Sequence, residues 1–523
     1  MTLHRKKRCS ARSRGAAANN QYVPDIRSDH LRKPKQVRAA SHWSEGAYLQ
    51  LFEDGRGRWR VLQDHHSSVR GIDYHAEDRG CFAKTPSCDV HPWLLLADAL
   101  RPDPQTACLL ASGVGRQVLD GVRFGLKDMA AIELNPDLLP CAIEHRPQSG
   151  LQELMQLPEV RYLVDDARHF IRRSQKPFDL VLLPPSGRPK DMSAPSAADH
   201  ILTEQAIAEY LNATTDDGLV VITLGLLWHK TQTRPRARVL SILRHGMKRA
   251  GIQDPDAHLQ AFDPGFFYLS RSAFTAAERL RAATLAGGLG LQPVSLSELE
   301  SSSGAPTRRI TDDYPFWVAA AEWADLPHSL DSLMRPRPGR PGAEGVLFLT
   351  HILALLGVIV VLLLPLLRSR AARVPVQPAD VAMLAAFGFI GLGFMCMEMP
   401  LIEKLVFAVG NPVRSLSFCL FILLLTTGAG SALSARLVGG PDGVNWGRMG
   451  AAFLALVGVQ LLMWFGLGSA LDQMGFWPIW QSGPAIVLLL TPVGLLLGIP
   501  FPTATAILRD GGKEALIPWA WAA

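Results

Sequence analysis

The chain has 523 residues, of which 48% are hydrophobic and 19% are charged, with a mean hydropathy of +0.13. Residues 345–523 hold nine Lys or Arg and seven Asp or Glu among 179 positions, about 9% charged, whereas residues 1–344 are about 24% charged. Soluble chains average about 25% charged residues, so these values exclude a purely soluble enzyme, a disordered chain and a small disulfide-bonded scaffold.

Residues 1–40 are strongly basic. They contain 11 Lys or Arg against Asp25 and Asp29, whereas the whole chain has a net charge of only +6. No apolar run follows the basic start, which excludes a secretory signal peptide. The composition is typical of a solvated, disordered arm. The alternative is an arm that contacts anionic lipid, and we expect no specific nucleic-acid partner.

The seven cysteines are scattered without a Cys-x-x-Cys pair. Cys88 and His91 have a spacing found among zinc ligands, but no second pair accompanies them, so we expect no metal. Cysteines without such pairing indicate a reducing compartment for the soluble part.

Strands and helices alternate through the soluble part. Residues 47–52 and 59–63 flank a loop with glycines, which predicts an N-terminal β-hairpin. Short apolar runs predict further strands at 107–111, 129–133, 160–164, 178–183, 218–224 and 266–269. Helical patterns between and after them lie at 115–124, 136–145, from 167, at 203–211 and at 236–250. This order predicts an α/β fold with a Rossmann-like parallel sheet covered on both faces, and a ligand outside the carboxyl ends of its strands.

The remainder predicts an all-α transmembrane domain of about five helices after a Pro/Arg linker at residues 331–344. The candidate spans are 346–367, 381–402, 415–435, 449–471 and 484–508. The last span contains three prolines and should kink or break. Lys and Arg counts on the two sides do not orient the helices. The chain ends inside an apolar stretch, which predicts truncation at its C-terminus.

A glycine-rich turn and a carboxylate form the first candidate site. Gly113 and Gly115 lie between a strand and a helix, where a ligand can approach the backbone and the free N–H groups of the helix. Glu133 ends the next strand, where a carboxylate can accept hydrogen bonds from two ribose hydroxyls. The alternative is a tight turn beside a surface glutamate.

The third strand ends in Asp165, Asp166 and Ala167. In a nucleoside site an acid here can accept a hydrogen bond from an adenine amino group. Asp166 can equally cap the helix that follows, and the two roles are compatible.

The fourth strand ends at Pro184, where a catalytic base would normally lie. Ser186 and Asp191 are the catalytic candidates that follow it. Asp199 and His200 lie further along, and nothing in the sequence brings them to the strand end.

The apolar part contains three ionisable residues close together, Glu398, Glu403 and Lys404. Ionisable groups at membrane depth need a partner or an aqueous cavity, and either glutamate could pair with Lys404. The alternative is that Glu398 marks the end of its span and the other two lie at the interface.

Taken together, the motifs resemble a known family. ASGVGR, IELNP, VDDARHF, FDLVLL, FYLSRSAFTAAE and TDDYPF follow one another in the soluble part, and EMPLIEKLVF and GIPFPTA in the apolar part. The run is similar, over residues 70–523, to spermidine-synthase-like multi-pass membrane proteins. In these, an aminopropyltransferase-type Rossmann domain, of the S-adenosylmethionine-dependent methyltransferase type, is fused to transmembrane helices.

The resemblance implies a sulfonium nucleoside as substrate, either S-adenosylmethionine or its decarboxylated form. By position, Gly113 and Gly115 match the family's glycine-rich loop, Glu133 the ribose carboxylate, and Asp166 with Ala167 the adenine contact. Two features depart from the family. Its aspartate at the end of the fourth strand, which helps to deprotonate the attacking amine, is replaced by Pro184. Its Tyr-His-Glu acceptor segment is not reproduced at residues 88–92.

Three functions therefore stay open. They are aminopropyl transfer to a small amine, methyl transfer to another acceptor, and a catalytically inactive nucleoside- or polyamine-binding domain that regulates a transporter-like membrane domain. We expect a bacterial inner-membrane protein whose soluble domain faces the cytoplasm, with a homodimer as a further hypothesis. The predicted division is a basic arm at 1–40, an N-terminal subdomain at 41–100, a nucleoside-binding domain at 101–330, the linker, and the membrane domain at 345–523.

Overall fold

The computed structural model describes only part of the chain. The described residues are 37–43, 48–53, 58–63, 67–85, 88–184, 200–224, 233–297, 309–312, 314, 350, 352–357, 360, 378–409, 412–440, 443–474, 477 and 479–522.

The first unit is an antiparallel sheet of four strands in chain order, which contains the predicted hairpin at its centre. The strands are β1 (Val37–Trp43), β2 (Tyr48–Glu53), β3 (Trp59–Gln63) and β4 (Ser67–Arg70). The side chains of Leu49, Leu51 and Val61 alternate toward one face and are fully buried. The outer strands β1 and β4 were not predicted.

The second unit is a seven-stranded sheet. Its strands are β5 (Thr106–Leu109), β6 (Asp128–Glu133), β7 (Val160–Val164), β8 (Phe178–Leu183), β9 (Thr214–Thr223), β10 (Leu259–Phe262) and β11 (Phe266–Ser270). Their spatial order is β10-β11-β9-β8-β5-β6-β7, with β5 to β9 parallel and β10 and β11 antiparallel. The predicted Rossmann-like, methyltransferase-type sheet is confirmed.

Helices cover both faces of this sheet. They are α1 (Cys81–Lys84), α2 (Pro92–Leu100), α3 (Arg116–Phe124), α4 (Leu138–His145), α5 (Leu151–Met155), α6 (Ala167–Arg173), α7 (Glu204–Asn212), α8 (Thr233–Arg249) and α9 (Ala276–Gly288). Successive residues of β5 enter opposite cores: Ala107 and Leu109 pack into one, Cys108 and Leu110 into the other. A strand buried on both faces explains the continuous apolar run in the sequence.

Strand β5 marks the point where the strand order reverses. The chain runs from β5 outward through β6 to β7, then returns to place β8 on the other side of β5. Such a reversal opens a crevice at the carboxyl ends of the strands, where open α/β sheets bind ligands.

Cys81 and Cys88 form a disulfide at the start of the soluble domain, with their Cα atoms 5.7 Å apart. The sequence did not predict this pairing, because a spacing of seven residues gives no recognisable signal. Disulfides are rare in the cytosol, so this pairing opposes the expected reducing compartment.

Four apolar helical regions of the C-terminal part are long enough to cross a membrane. The helices are α10 (Pro378–Val409), α11 (Pro412–Val438), α12 (Trp446–Met474), α13 (Ile479–Leu497), α14 (Pro500–Asp510) and α15 (Ile517–Ala522). Two short strands, Gly439–Gly440 and Gly443–Val444, pair between α11 and α12. The predicted break in the last span is confirmed between α13 and α14, whereas the span predicted at 346–367 lies largely outside the described residues.

Candidate functional site

The glycine-rich turn follows the carboxyl end of β5 and leads into α3. Ala111, Gly113 and Gly115 have positive φ angles of 49°, 59° and 91°, and glycine adopts such angles at little cost. Between the glycines, Ser112 is buried, and its Oγ lacks a hydrogen-bond partner in the described part of the chain. The turn therefore follows the strand end with its backbone and encloses one buried hydroxyl that has no partner among the described residues.

Glu133, at the end of β6, is bound directly to this turn. Its Oε2 accepts a hydrogen bond from the Gly113 amide at 2.8 Å, and its Oε1 accepts one from the Asn135 amide at 3.0 Å. The side chain is 8% exposed. Burial raises the pKa of Glu133, and the backbone amides of Asn135 and Gly113 oppose that rise. The alternative of a surface glutamate is therefore wrong.

Each carboxylate oxygen has a second lone-pair site. A ligand with two neighbouring hydroxyl groups could therefore still donate to Glu133 while the amide bonds stay in place. The contact with ribose remains a prediction.

Tyr162 is a member of this site that sequence reasoning missed. Its hydroxyl donates to the Gly113 carbonyl at 3.4 Å. The side chain comes from β7, two residues before Val164, so both lie on the same face of that strand. The strand period could have located Tyr162 beside the turn once the order of β6 and β7 was known.

Two apolar side chains border the carboxylate. Leu134 follows Glu133, and Val164 is the register partner of Glu133 on β7. They are 37% and 51% exposed, Leu134 directly after the buried strand β6 and Val164 as the last residue of the edge strand β7. Exposed apolar side chains beside converging polar groups are typical of a ligand pocket.

Asp166 caps α6, as one of its two predicted roles requires. Its Oδ1 accepts the amides of Arg168 and His169, both at 3.0 Å, and Ala167 is the first residue of the helix. Burial raises the pKa of Asp166, and its bond from the His169 amide lowers it. The capping prediction is confirmed, and the adenine contact remains a prediction.

The neighbouring Asp165 is held by the same helix. Its Oδ1 accepts the Asp166 amide at 2.8 Å and lies 2.6 Å from His169 Nδ1. Both aspartates are therefore held at the start of α6, Asp165 by a backbone amide and the His169 ring, and Asp166 by two backbone amides.

The last described residue after β8 is Pro184, which is buried. No acidic side chain therefore occupies this position. Ser186, Asp191 and Asp199 lie outside the described residues. His200 is described and partly buried, and its carbonyl accepts Arg168 Nη1 at 3.2 Å.

The segment before α2 lies against the start of α3. Asp89 is 3.9 Å from Arg116 Nη2, and Trp93 Nε1 donates to Asp120 at 3.4 Å. The ring of His91 lies edge-on to Phe266, with 5.9 Å between centroids.

The described residues contain no group of three or more His, Cys, Asp or Glu side chains arranged to hold a metal. Cys88 is occupied by its disulfide.

The three ionisable residues of the apolar part lie within α10. Glu398 is buried, Glu403 is exposed, and Lys404 is partly buried. Helix α10 continues beyond Glu398 to Val409, and the place where the span ends within it remains a prediction. The pairing of Lys404 with either glutamate remains a prediction.

Neither a protein-family model nor a curated protein sequence matches the chain. The structure is similar to the spermidine synthase of Thermotoga maritima, at 11% identity and a TM-score of 0.32, over 56% of this chain and 88% of that one. It is similar to a spermidine synthase in complex with the transition-state analogue AdoDATO, at 11% identity and a TM-score of 0.30, over 56% of this chain and 87% of that one. It is also similar to a probable spermidine synthase from Corynebacterium glutamicum, at 16% identity and a TM-score of 0.34, over 52% of this chain and 96% of that one. These scores are low, so the fold assignment rests on the strand order.

Proposed function

We propose that the soluble domain is a membrane-anchored transferase that binds S-adenosylmethionine or its decarboxylated form. The observation that carries the proposal is the Glu133 carboxylate, which is fixed by the Gly113 and Asn135 amides at the point where the strand order reverses. The family resemblance of the motifs points to the same ligand.

The ligand would lie along the carboxyl ends of β5, β6 and β7. Its ribose hydroxyls would donate to Glu133, and its adenine would lie against Leu134 and Val164. The adenine amino group would donate to Asp166, whose Oδ1 already accepts two amides, so Oδ2 would be the acceptor. The glycine-rich turn would carry the methionine-derived part.

A sulfonium carbon is already activated, so catalysis consists mainly of alignment of the acceptor. In aminopropyl transfer, the amine nitrogen bonds to the carbon beside sulfur, the carbon–sulfur bond breaks, and its electron pair leaves with methylthioadenosine. The nitrogen must then lose a proton, for which a base is useful.

Pro184 favours methyl transfer as a second candidate, because it removes the expected proton acceptor from the end of β8. An acceptor that needs little help with deprotonation could receive a methyl group by alignment alone. The bond that breaks is then that between sulfur and methyl, and S-adenosylhomocysteine leaves.

The membrane part would hold the site at the cell membrane. We place the soluble domain on the cytoplasmic side, because both sulfonium nucleosides are cytosolic metabolites. The Cys81–Cys88 disulfide argues in the opposite direction, and the side is decided by the labelling experiment below.

Product analysis of the full-length chain in detergent micelles tests the reaction. The chain is incubated with decarboxylated S-adenosylmethionine and putrescine, and separately with S-adenosylmethionine and a mixture of small amines. Methylthioadenosine together with a lengthened amine supports aminopropyl transfer, and S-adenosylhomocysteine supports methyl transfer. If neither product exceeds that of heat-inactivated chain, the transferase proposal is wrong and only a binding function survives.

A further inference from the structure

Gly113, in the glycine-rich turn, is held on both sides by side chains of the sheet. Its amide donates to Glu133 Oε2 at 2.8 Å, and its carbonyl accepts the Tyr162 hydroxyl at 3.4 Å. The two side chains come from the neighbouring strands β6 and β7. A carboxylate and a phenol therefore hold the two peptide groups that meet at Gly113.

The glycine needs such bonds to keep a single conformation. Gly113 has a φ angle of 59°, and glycine adopts positive and negative φ angles about equally readily. Because a peptide group is planar, the Gly113 carbonyl and the Val114 N–H turn together. The bond from Tyr162 therefore also fixes the direction of the Val114 N–H.

The Tyr162 ring is anchored in the core of the soluble domain. It is partly buried and packs against the core cluster that contains Val160, two residues earlier on the same face of β7. Burial, together with the nearby Glu133 carboxylate, raises the pKa of Tyr162, so its hydroxyl keeps its proton at neutral pH. A distance of 3.4 Å is long for a hydroxyl donor, so its contribution should be modest.

We propose that Tyr162 is a positioning residue that holds the glycine-rich turn in the conformation that accepts the chain attached to sulfur. The role rests on the proposed function, in which this turn carries the methionine-derived part of the ligand and Glu133 binds the ribose. Because Tyr162 acts through Gly113, its hydroxyl should matter for the part of the ligand at the turn and not for the nucleoside. Tyr162 therefore favours sulfonium ligands over methylthioadenosine, which carries only a methyl group on sulfur.

Calorimetric titration of the full-length chain in detergent with S-adenosylmethionine, its decarboxylated form and methylthioadenosine tests this role. Tyr162→Phe removes the hydroxyl and keeps the ring that packs in the core. We expect this variant to bind the sulfonium ligand about two- to tenfold more weakly, the range for one lost neutral hydrogen bond. Its affinity for methylthioadenosine should be unchanged, whereas a general disturbance of the site would weaken both ligands alike.

The matched control is Tyr268→Phe on β11, which is separated from β7 by four strands. The Tyr268 hydroxyl donates to the Trp93 carbonyl at 3.0 Å, so this variant loses the same kind of bond away from the turn. It should bind all three ligands as the unmodified chain does. Thermal unfolding of both variants checks that each is folded.

The outcomes separate this role from the proposed function. Glu133→Gln should weaken all three ligands, because methylthioadenosine keeps the ribose. If Tyr162→Phe weakens methylthioadenosine and the sulfonium ligand equally, or weakens neither, the positioning role is wrong and the proposed ligand stands. If the unmodified chain binds none of the three ligands, the proposed function fails and the role of Tyr162 fails with it.

Discussion

Arg168 and Asp312 form a bidentate ion pair although 144 residues separate them. Nη1 lies 2.6 Å from Oδ1, and Nη2 lies 2.9 Å from Oδ2. Arg168 also makes two bonds to Glu209, at 2.9 and 2.6 Å, and its side chain is fully buried. Asp312 belongs to TDDYPF, the last described part of the soluble domain, so this pair fastens the end of that domain to α6, the helix that Asp166 caps.

Asp312→Asn should destabilise the soluble domain. Burial alone would raise the pKa of Asp312, but the Arg168 guanidinium and the Thr203 hydroxyl hold it below its ordinary value. Breaking a buried pair costs about 3 kcal/mol. The pair contributes stability above the unfolded pKa of about 4, and this contribution is lost as pH falls through the lower folded value. Thermal unfolding followed by tryptophan fluorescence checks the change.

The matched control is Asp128→Asn, which breaks the exposed ion pair with Arg161. Exposed pairs contribute at most about 1 kcal/mol, so this variant should melt close to the unmodified chain. If Asp312→Asn melts no lower than the control, the pair has no structural role.

Asp120→Asn should stabilise the chain above pH 6. Burial raises the pKa of Asp120 to about 6, and Arg116 only partly opposes it. A raised carboxyl pKa means that the folded state holds a proton that the unfolded state releases, so stability falls as pH rises from about 4 to 6. The amide carbonyl of Asn can still accept the Trp93 indole N–H.

We therefore expect Asp120→Asn to flatten the dependence of Tm on pH between 4 and 6 and to give a higher Tm at pH 7.5. Asp98→Asn, on the neighbouring helix α2, is the control. A Tm profile for Asp120→Asn that runs parallel to that of the unmodified chain would refute the assignment.

The features that were predicted correctly from the sequence are those that depend on local pattern. Strand β7 and the start of α6 fall where periodicity places them, and Asp166 caps the helix as its position suggested. The pair of Arg168 with Asp312 could not be predicted, because sequence pattern carries no information about which buried charges meet across 144 residues. Tyr162 was missed for a similar reason, since its role depends on the neighbouring strand. The Cys81–Cys88 pairing was also missed, because it depends on the path of the chain after the short helix α1.

Gly430→Ala should destabilise the membrane domain by disturbing the packing of α11 against α13. A Cβ atom at Gly430 would overlap the Leu495 carbonyl of α13, whereas one at Gly428, two residues earlier on α11, would meet nothing within 4 Å. Close helix approach at small residues stabilises membrane bundles. The resistance of the chain to unfolding by detergent should fall for Gly430→Ala and stay unchanged for Gly428→Ala. Equal resistance of the two variants would contradict the close packing of α11 against α13.

Cys81 and Cys88 should resist alkylation in chain purified without reductant. Both should react with N-ethylmaleimide after reduction, and in Cys88→Ser the remaining Cys81 should react at once. Reaction of both cysteines before reduction would show that the disulfide is absent.

The same labelling in intact cells, quenched rapidly, determines the side of the membrane. Reduced cysteines would agree with a cytoplasmic soluble domain. An oxidised pair would place the domain in an oxidising compartment, away from cytosolic sulfonium nucleosides, and would contradict the proposed ligand.

Calorimetric titration of the full-length chain with S-adenosylmethionine and with its decarboxylated form tests the central claim most directly. We predict saturable binding of at least one ligand. We also predict that Glu133→Gln weakens it by roughly tenfold or more, because the loss of a charged acceptor costs about 1.5–3 kcal/mol. The exposed Glu144→Gln on α4 should bind as the unmodified chain does. Absence of binding by both ligands, or equal affinity in Glu133→Gln and Glu144→Gln with both variants folded, would contradict the site at Glu133.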